Sequence, residues 1–306
     1  MTRTRPYLFA LLIFLLVGAG VYLLYQKHHA PIQESSSLTE TVSPDQAPED
    51  AEELLELGLM YYRGDAIQQD YATAFQLFQK SALLGNAAAQ TNLAGMYANG
   101  KGVEQNTREA FVWYLRAAEQ GIAGAQYNTA VMYSAGGGVE QDYKEAAKWY
   151  SRAAEEGLAD AQYGLGILYE NGWGVSKDYQ QALALYRKAA RQGHTSAQFN
   201  LGNLYEQGLG VTENIPEAQV WYIKAAEKGD TDALFNLGAL HMNGHGVPVN
   251  LIEAYKWFTI AATYGENEAI RQLDSLITGM PREDVDQGIE RARSWVQTHP
   301  KADKRP

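Results

Sequence analysis

The chain has 306 residues, a formal net charge of −11 at pH 7 and a sequence pI of about 5.1. Nucleic-acid affinity depends mainly on phosphate contacts from clustered lysine and arginine, so this acidic balance argues against a nucleic-acid-binding protein. The sequence contains no cysteine, which excludes disulfide bonds, a cysteine nucleophile and thiolate metal sites.

The N-terminal segment has the properties of a transmembrane signal anchor. Residues 7–25 carry no charge, and a helix of this length nearly spans a hydrocarbon core of roughly 30 Å. Because Arg3 and Arg5 precede the segment, the positive-inside rule predicts that residues 1–6 are cytoplasmic. The remainder would then lie in the periplasm of a Gram-negative-type bacterium, with the anchor in the inner membrane. A cleavable signal peptide is the alternative, since small residues at 17–19 could form a cleavage site and release a periplasmic or secreted product.

Residues 26–50 are predicted to form a disordered acidic linker. From residue 30 onward this segment contains three prolines, five acidic residues and neither lysine nor arginine. It has too few apolar residues to build a core. As a flexible coil it would hold the following domain roughly 25 Å from the membrane.

A 36-residue repeat then occupies residues 51–266 in six consecutive copies. The copies are 51–86, 87–122, 123–158, 159–194, 195–230 and 231–266. In every copy position 14 is glycine, position 24 is alanine and position 35 is glycine. A fixed period of this length is typical of solenoid proteins, which are mostly binding surfaces.

Each copy is predicted to form a helix–turn–helix hairpin. In the fourth copy, Gly166 lies within the first helix and suggests close approach of a neighbouring helix, while Asp178 is placed to cap the second helix. The expected core residues of this copy are Ala161, Leu165, Leu168, Ala182, Leu185, Tyr186 and Ala189. Since neither helix can bury its apolar face alone, the hairpins are expected to stack.

Two further features concern the core and the end of the stack. The second helices share a tryptophan column that is expected to be core, formed by Trp113, Trp149, Trp221 and Trp257. Residues 267–300 break the repeat and predict capping helices, and residues 301–306 form a tail. In the last of these helices Val285, Ile289, Ala292 and Val296 line one face.

The repeat resembles the Sel-one-like repeat (SLR), a relative of the tetratricopeptide repeat. The third copy reads AGAQYNTAVMYSAGGGVEQDYKEAAKWYSRAAEEGL and the fifth reads TSAQFNLGNLYEQGLGVTENIPEAQVWYIKAAEKGD. The resemblance implies an all-α fold, a right-handed α-solenoid of six 36-residue repeats with a concave groove lined by the first helices. It also implies that the protein acts as an adaptor or scaffold. The bacterial members of the family include envelope proteins.

Polar positions of the first helices are the candidate binding residues. Position 6 provides an asparagine ladder, position 12 provides two glutamates, and a turn provides one tryptophan. The candidates for a protein-binding groove are Asn92, Asn128, Asn200, Asn236, Glu170, Glu206 and Trp173. The carboxamides could bind the backbone of an extended peptide or could instead bond to the neighbouring repeat. Trp173 could contact a partner or pack against the adjacent turn.

No motif makes a case for metal binding or catalysis. His241 and His245 are four residues apart, but His241 occupies a column of tyrosines and Gly244 ends the helix between them. Gly95 and Gly100 resemble the start of a phosphate-binding loop, yet the residue expected to be Ser or Thr is glycine. We therefore predict neither a metal nor another cofactor.

The sequence as a whole favours a membrane-anchored, non-enzymatic scaffold that binds protein segments through the groove. The alternative is a cell-wall factor that binds peptidoglycan or modulates a wall-cleaving enzyme. Its partners could then include a peptidoglycan-associated protein. No nucleic-acid partner is expected.

Overall fold

The computed structural model describes residues 49–299. The predicted cytoplasmic residues 1–6, the predicted anchor 7–25, most of the predicted linker and the tail 301–306 lie outside the described residues. Between residues 49 and 299, no helix combines the length and the apolar character that crossing a bilayer requires.

Fourteen helices make up the regular structure of the described residues. The first helices of the six copies are α1 (Ala51–Arg63), α3 (Ala87–Asn99), α5 (Ala123–Ala135), α7 (Ala159–Asn171), α9 (Thr195–Gln207) and α11 (Thr231–Asn243). The second helices are α2 (Tyr71–Leu83), α4 (Thr107–Glu119), α6 (Tyr143–Glu155), α8 (Tyr179–Arg191), α10 (Ile215–Ala226) and α12 (Leu251–Thr263). Two more helices follow, α13 (Asn267–Ile277) and α14 (Arg282–Thr298). The all-helical expectation is confirmed.

The described residues divide into two compact units, 49–158 and 159–299. Each contains three repeat hairpins. Within a unit, each second helix packs against its own first helix and against the first helix of the next copy. The hairpins of each unit therefore stack, as the apolar pattern predicts.

Side-chain caps set the start of every second helix. The Asp178 carboxylate accepts hydrogen bonds from the backbone N–H groups of Gln180 and Gln181, at 2.8 and 3.0 Å. The same position is Asp70, Asn106, Asp142, Asn214 or Asn250 in the other copies, and each of these side chains also accepts backbone N–H groups. The predicted caps are confirmed, and each satisfies donors that the helix itself leaves unpaired.

Position 16 of the turn shows why glycine is required between stacked copies. A Cβ atom on Gly102 would lie 2.1 Å from the carbonyl oxygen of Tyr71, in the preceding copy. In the first copy the residue is Ala66, which has a left-handed φ of 64°. Since no described hairpin precedes the first copy, Ala66 meets no such neighbour.

A close contact explains the mid-helix glycine of the fourth copy. A Cβ atom on Gly166 would lie 2.6 Å from the ring of Tyr186, which is fully buried. Gly202 and Tyr222 form the same pair one copy later. The predicted close approach is confirmed, and its partner is the aromatic ring of the second helix.

One prediction about the core of the fourth copy is wrong. Leu185 was expected to be buried but is only half-buried, whereas Leu183 and Ala190 lie in the core. The second helix α8 contacts both its own first helix and α9. It therefore buries two faces, and a single stripe at helical spacing describes only one of them.

Buried glutamines of the first helices form hydrogen bonds with the residue that follows the second helix of the same copy. Gln90 accepts a hydrogen bond from Gln120 at 2.8 Å, and Gln162 accepts one from Gln192 at 2.9 Å. In the third copy the equivalent of Gln120 is Glu156, and the buried Oε1 of Gln126 has no hydrogen-bond partner among the described residues. An ionised carboxylate cannot donate, so Glu156 cannot fill this role.

We therefore expect Glu156→Gln to stabilise the N-terminal unit by about 0.5–1.5 kcal/mol, the usual net value of one hydrogen bond. The new side-chain amide would donate to Gln126 Oε1, as Gln120 does to Gln90. A guanidinium unfolding curve on the full-length chain measures the effect. Glu140→Gln, which removes the same charge from an exposed turn, is the control. Equal midpoints for the two variants would contradict the assignment.

Helix α14 closes the C-terminal end through an ion network and aromatic contacts. Arg291 donates to Glu253 at 2.6 Å, and Lys256 donates to the other oxygen of Glu253 at 3.2 Å. The rings of Trp257 and Trp295 meet edge to face, with centroids 4.8 Å apart. Of the residues expected on the inner face of this helix, Val285 and Ala292 are buried, while Ile289 and Val296 are partly buried against the core.

Candidate functional site

The C-terminal unit brings several of the predicted site residues together around two buried tyrosines. The hydroxyl of Tyr186, on α8, donates to Glu170 Oε2 at 2.5 Å. The Asn200 side chain interacts with the same hydroxyl and with that of Tyr163, and it partly offsets the rise in the pKa of both. A tyrosine from a second helix thus connects a carboxylate of one first helix, α7, with a carboxamide of the next, α9.

The same arrangement occurs one copy later. The Tyr222 hydroxyl lies 2.5 Å from Glu206 Oε2 and 2.6 Å from Asn203 Oδ1. The Asn236 side chain partly offsets the rise in the pKa of this hydroxyl, and its Nδ2 donates to Asn203 Oδ1 at 3.4 Å. Helices α9 and α11 are therefore in direct side-chain contact. We call the polar surface formed by Glu170, Asn200, Asn203, Glu206 and Asn236 the first-helix face.

Electrostatics keep both tyrosines protonated. Burial is the main reason that the pKa of the Tyr186 hydroxyl is well above its usual range, and the Glu170 carboxylate raises it further. Burial and Glu206 raise the pKa of Tyr222 in the same way. Protonated hydroxyls donate to the carboxylates and fix their orientation. An ionised carboxylate can accept about four hydrogen bonds, so each glutamate keeps capacity for a donor from a partner.

The two predicted asparagines of the N-terminal unit have different environments. Asn92 donates through Nδ2 to the carbonyl oxygen of Ala88, one turn earlier in its own helix, at 3.0 Å. Asn128 is 2% exposed, and its Nδ2 has no hydrogen-bond partner in the described part of the chain. The asparagine ladder therefore does not present one repeated contact.

Trp173, a predicted binding residue, and His245, which the sequence analysis considered as a metal ligand, lie in turns. Trp173 is 42% exposed, which makes it the most exposed tryptophan of the described core and turns. His245 lies between two carboxylates, with its ring nitrogens 3.8 Å from Glu206 Oε1 and 3.9 Å from Glu213 Oε1. Residues 49–299 contain no group of three or more His, Cys, Asp or Glu side chains arranged to hold a metal ion.

His241 lies apart from His245 and packs where most copies have tyrosine. Its Nε2 lies 3.0 Å from Gln219 Nε2, while its Nδ1 is buried and has no hydrogen-bond partner among the described residues. Burial lowers the pKa of His241 below its ordinary value; Glu253 opposes this effect and Lys256 adds to it. The imidazole therefore stays neutral in the folded protein at a pH where a solvated histidine is protonated.

His241 is therefore expected to make the protein less stable in acid. An unfolded histidine takes up a proton near pH 6.5, whereas folded His241 does so only at lower pH. The unfolded state binds more protons in between, so the free energy of unfolding falls as the pH drops below about 6.5. In guanidinium unfolding at pH 7.5 and 5.5, His241→Tyr should lose less stability than wild type. Equal losses of stability in wild type and the His241 variant would refute this role.

Sequence reasoning missed the tyrosine hydroxyls and Asn203. It placed Tyr186, at position 28 of its copy, in the core from its helical spacing alone. The sequence contains only a weak signal, since tyrosine at position 28 accompanies Glu170 and Glu206 at position 12 but also occurs as Tyr114 and Tyr150 in copies without that glutamate. The sixth copy has Met242 and Phe258 at these positions and so lacks both the carboxylate and the hydroxyl.

Comparison with known proteins places the repeats in a family. The Sel1 repeat model matches residues 54–86, 87–122, 123–158, 159–194, 195–230 and 231–263. A Sel1 repeat protein from Oxalobacter formigenes is 32% identical over 83% of this chain and 99% of its own, with a TM-score of 0.66. No curated protein sequence matches the chain significantly.

A second solved structure is also similar. It is a protective antigen present in uropathogenic Escherichia coli strains, with an SLR fold, and it is 34% identical over 81% of this chain with a TM-score of 0.73. The match covers 53% of the antigen, so this chain spans about half of its length. Sel1 repeat proteins are generally scaffolds for protein–protein interactions, and their fold is typically non-catalytic. The chain belongs to the Sel1 repeat family.

Proposed function

We propose that this chain is a non-enzymatic scaffold of the bacterial cell envelope that holds a protein segment on its first helices. Residues 7–25 would anchor it in the inner membrane, with the repeats in the periplasm. The first-helix face is the observation that carries the binding role. Its carboxylates and carboxamides are half-buried and are held in place by buried tyrosines. Preorganised groups of this kind bind with less loss of side-chain entropy.

The anchor would strengthen such binding without adding contacts. A membrane tether keeps the repeats close to other envelope proteins and raises their effective concentration. A modest affinity for an extended segment would then be sufficient. A peptide backbone offers both donors and acceptors, and a carboxamide such as that of Asn236 can pair with both.

Site-specific photo-crosslinking in living cells tests the binding role. The crosslinking residue is placed at Gln207, which is exposed beside Glu206 at the end of α9. The matched control is Lys188, which is exposed on the second helix α8. A discrete protein adduct at Gln207 that is absent at Lys188, and is lost in Asn236→Ala, would support the proposal. Muropeptide adducts would favour the cell-wall role instead, and identical adducts at both positions would contradict a binding face.

The absence of native cysteine allows a clean test of topology. A single Glu227→Cys substitution places a thiol at an exposed position of the C-terminal unit. After selective permeabilisation of the outer membrane, a membrane-impermeant maleimide should label this thiol. Labelling that requires rupture of the inner membrane would contradict a periplasmic location.

A further inference from the structure

Among the repeat helices of the C-terminal unit, lysine and arginine occur only on the second helices, which also carry Glu217 and Glu253. Helices α7, α9 and α11 carry four acidic residues and no lysine or arginine. The acidic residues are Asp160, Glu170, Glu206 and Asp232. Helices α8, α10 and α12 carry Arg187, Lys188, Arg191, Lys224 and Lys256.

Three of these cations contact aromatic side chains. Lys224 lies 4.1 Å from the ring centroid of Trp221, and Lys256 lies 4.0 Å from that of Trp257, both on second helices. Arg187 donates at 2.6 Å to the hydroxyl of Tyr205, which belongs to the first helix α9. Among the described residues, none of these three cations forms an ion pair with Glu170 or Glu206.

We propose that the first-helix face of the C-terminal unit binds an extended protein segment through lysine or arginine side chains at Glu170 and Glu206. This inference rests on the proposed function and adds the chemistry of the partner to it. A face with two carboxylates, on helices that carry four acidic residues and no lysine or arginine, repels an acidic segment, and it offers no lysine or arginine to a free C-terminal carboxylate. A basic segment supplies the missing charge.

The two glutamates are prepared for this role by the tyrosine network. Tyr186 occupies one oxygen of Glu170, and Tyr222 occupies one oxygen of Glu206. Both carboxylates are half-buried, so an ion pair with them is less screened by salt than one on an open surface. His245, 3.8 Å from Glu206, is the nearest titratable side chain in a turn and would face the same partner group.

The spacing of the helices selects the conformation of the segment. Packed helices lie roughly 8–10 Å apart, and the contact between Asn236 and Asn203 indicates similar spacing for consecutive first helices. A polyproline II segment rises about 3.1 Å per residue with three residues per turn. Basic residues at i and i+3 would therefore lie on one side, about 9 Å apart, one at each glutamate. Asn200 and Asn236 would pair with the backbone between them.

A peptide-display selection tests the inference. Random 12-residue peptides are selected on the full-length chain in a mild non-ionic detergent. Enriched peptides should contain Lys or Arg with a three-residue spacing, and a synthetic peptide of that pattern should bind about tenfold more weakly to the Glu170→Gln, Glu206→Gln double variant. Glutamine still accepts from Tyr186 and Tyr222, and circular dichroism confirms the fold. Glu227→Gln, which removes a charge outside the face, should bind as wild type.

The outcomes separate this inference from the proposed function. Enriched peptides that lack basic residues but still lose binding in Asn236→Ala would overturn the basic partner and leave the binding face intact. Basic peptides that bind the double variant as tightly as wild type would overturn the role of the glutamates. A failure of any peptide to be enriched would count against both.

Discussion

Replacement of Gly138 by alanine is expected to lower the free energy of unfolding of the N-terminal unit by about 3–5 kcal/mol. Gly138 has a φ of +77°, and an added Cβ would lie 2.2 Å from the carbonyl oxygen of Thr107. Left-handed backbone alone costs alanine about 1–2 kcal/mol. The contact adds more, because Thr107 O belongs to the backbone at the start of α4, and relief requires the hairpins to separate.

Gly121→Ala is the matched control for this experiment. Gly121 also has a positive φ, +92°, but an added Cβ there would meet nothing within 4 Å. It should therefore show the conformational cost alone, about 1–2 kcal/mol. Guanidinium unfolding of the full-length chain, followed by far-UV circular dichroism, measures both variants. Equal losses of unfolding free energy in the two variants would show that stacking does not depend on the absence of a side chain at residue 138.

Trp221→Ala is expected to destabilise the C-terminal unit by about 3–5 kcal/mol, as is typical when a large core aromatic is truncated. Trp221 is 7% exposed and lies within the hydrophobic core cluster of that unit. Its Nε1 donates to Glu217 at 2.8 Å, and Lys224 lies over its ring. The substitution would leave a cavity and would also remove both of these contacts.

The control is a tryptophan of the same unit that is not part of the core. Trp173→Ala removes the same number of atoms from a side chain that is 42% exposed, and we expect it to cost less than about 1 kcal/mol. Intrinsic fluorescence is unsuitable because both variants change it, so unfolding is followed by circular dichroism. Similar midpoints for the two variants would refute the assignment of the tryptophan column to the core.

The hairpins could be predicted because local rules decide them. Glycine at position 14, which ends each first helix with a positive φ, and an Asp or Asn cap such as Asp178 act within one copy, and the structure confirms both. Most of the apolar spacing does so too. The error at Leu185 and Leu183 arose because burial of α8 depends on two neighbours at once, one of which belongs to the next copy.

The candidate site was less predictable, because the asparagines at position 6 have different hydrogen-bonding neighbours in different copies. Asn92 bonds to its own helix, whereas Asn200 interacts with Tyr186. The copy before Asn92 has Tyr62 at position 12 and Phe78 at position 28, so it offers neither the carboxylate nor the hydroxyl that Glu170 and Tyr186 provide before Asn200. A carboxylate orients the tyrosine hydroxyl between the two first helices, and no single-copy pattern contains that information.

Ala66 makes the N-terminal edge of the stack unable to receive another hairpin in the usual geometry. Its methyl group occupies the space that Gly102, Gly138 and Gly210 leave for the backbone of the preceding copy. A hairpin of a second molecule that approached this edge would meet the same obstruction, and the sixth hairpin is in addition covered by α13 and α14. One methyl group in one turn thus acts as a stop against end-to-end polymerisation, a hazard for any protein built from interchangeable units.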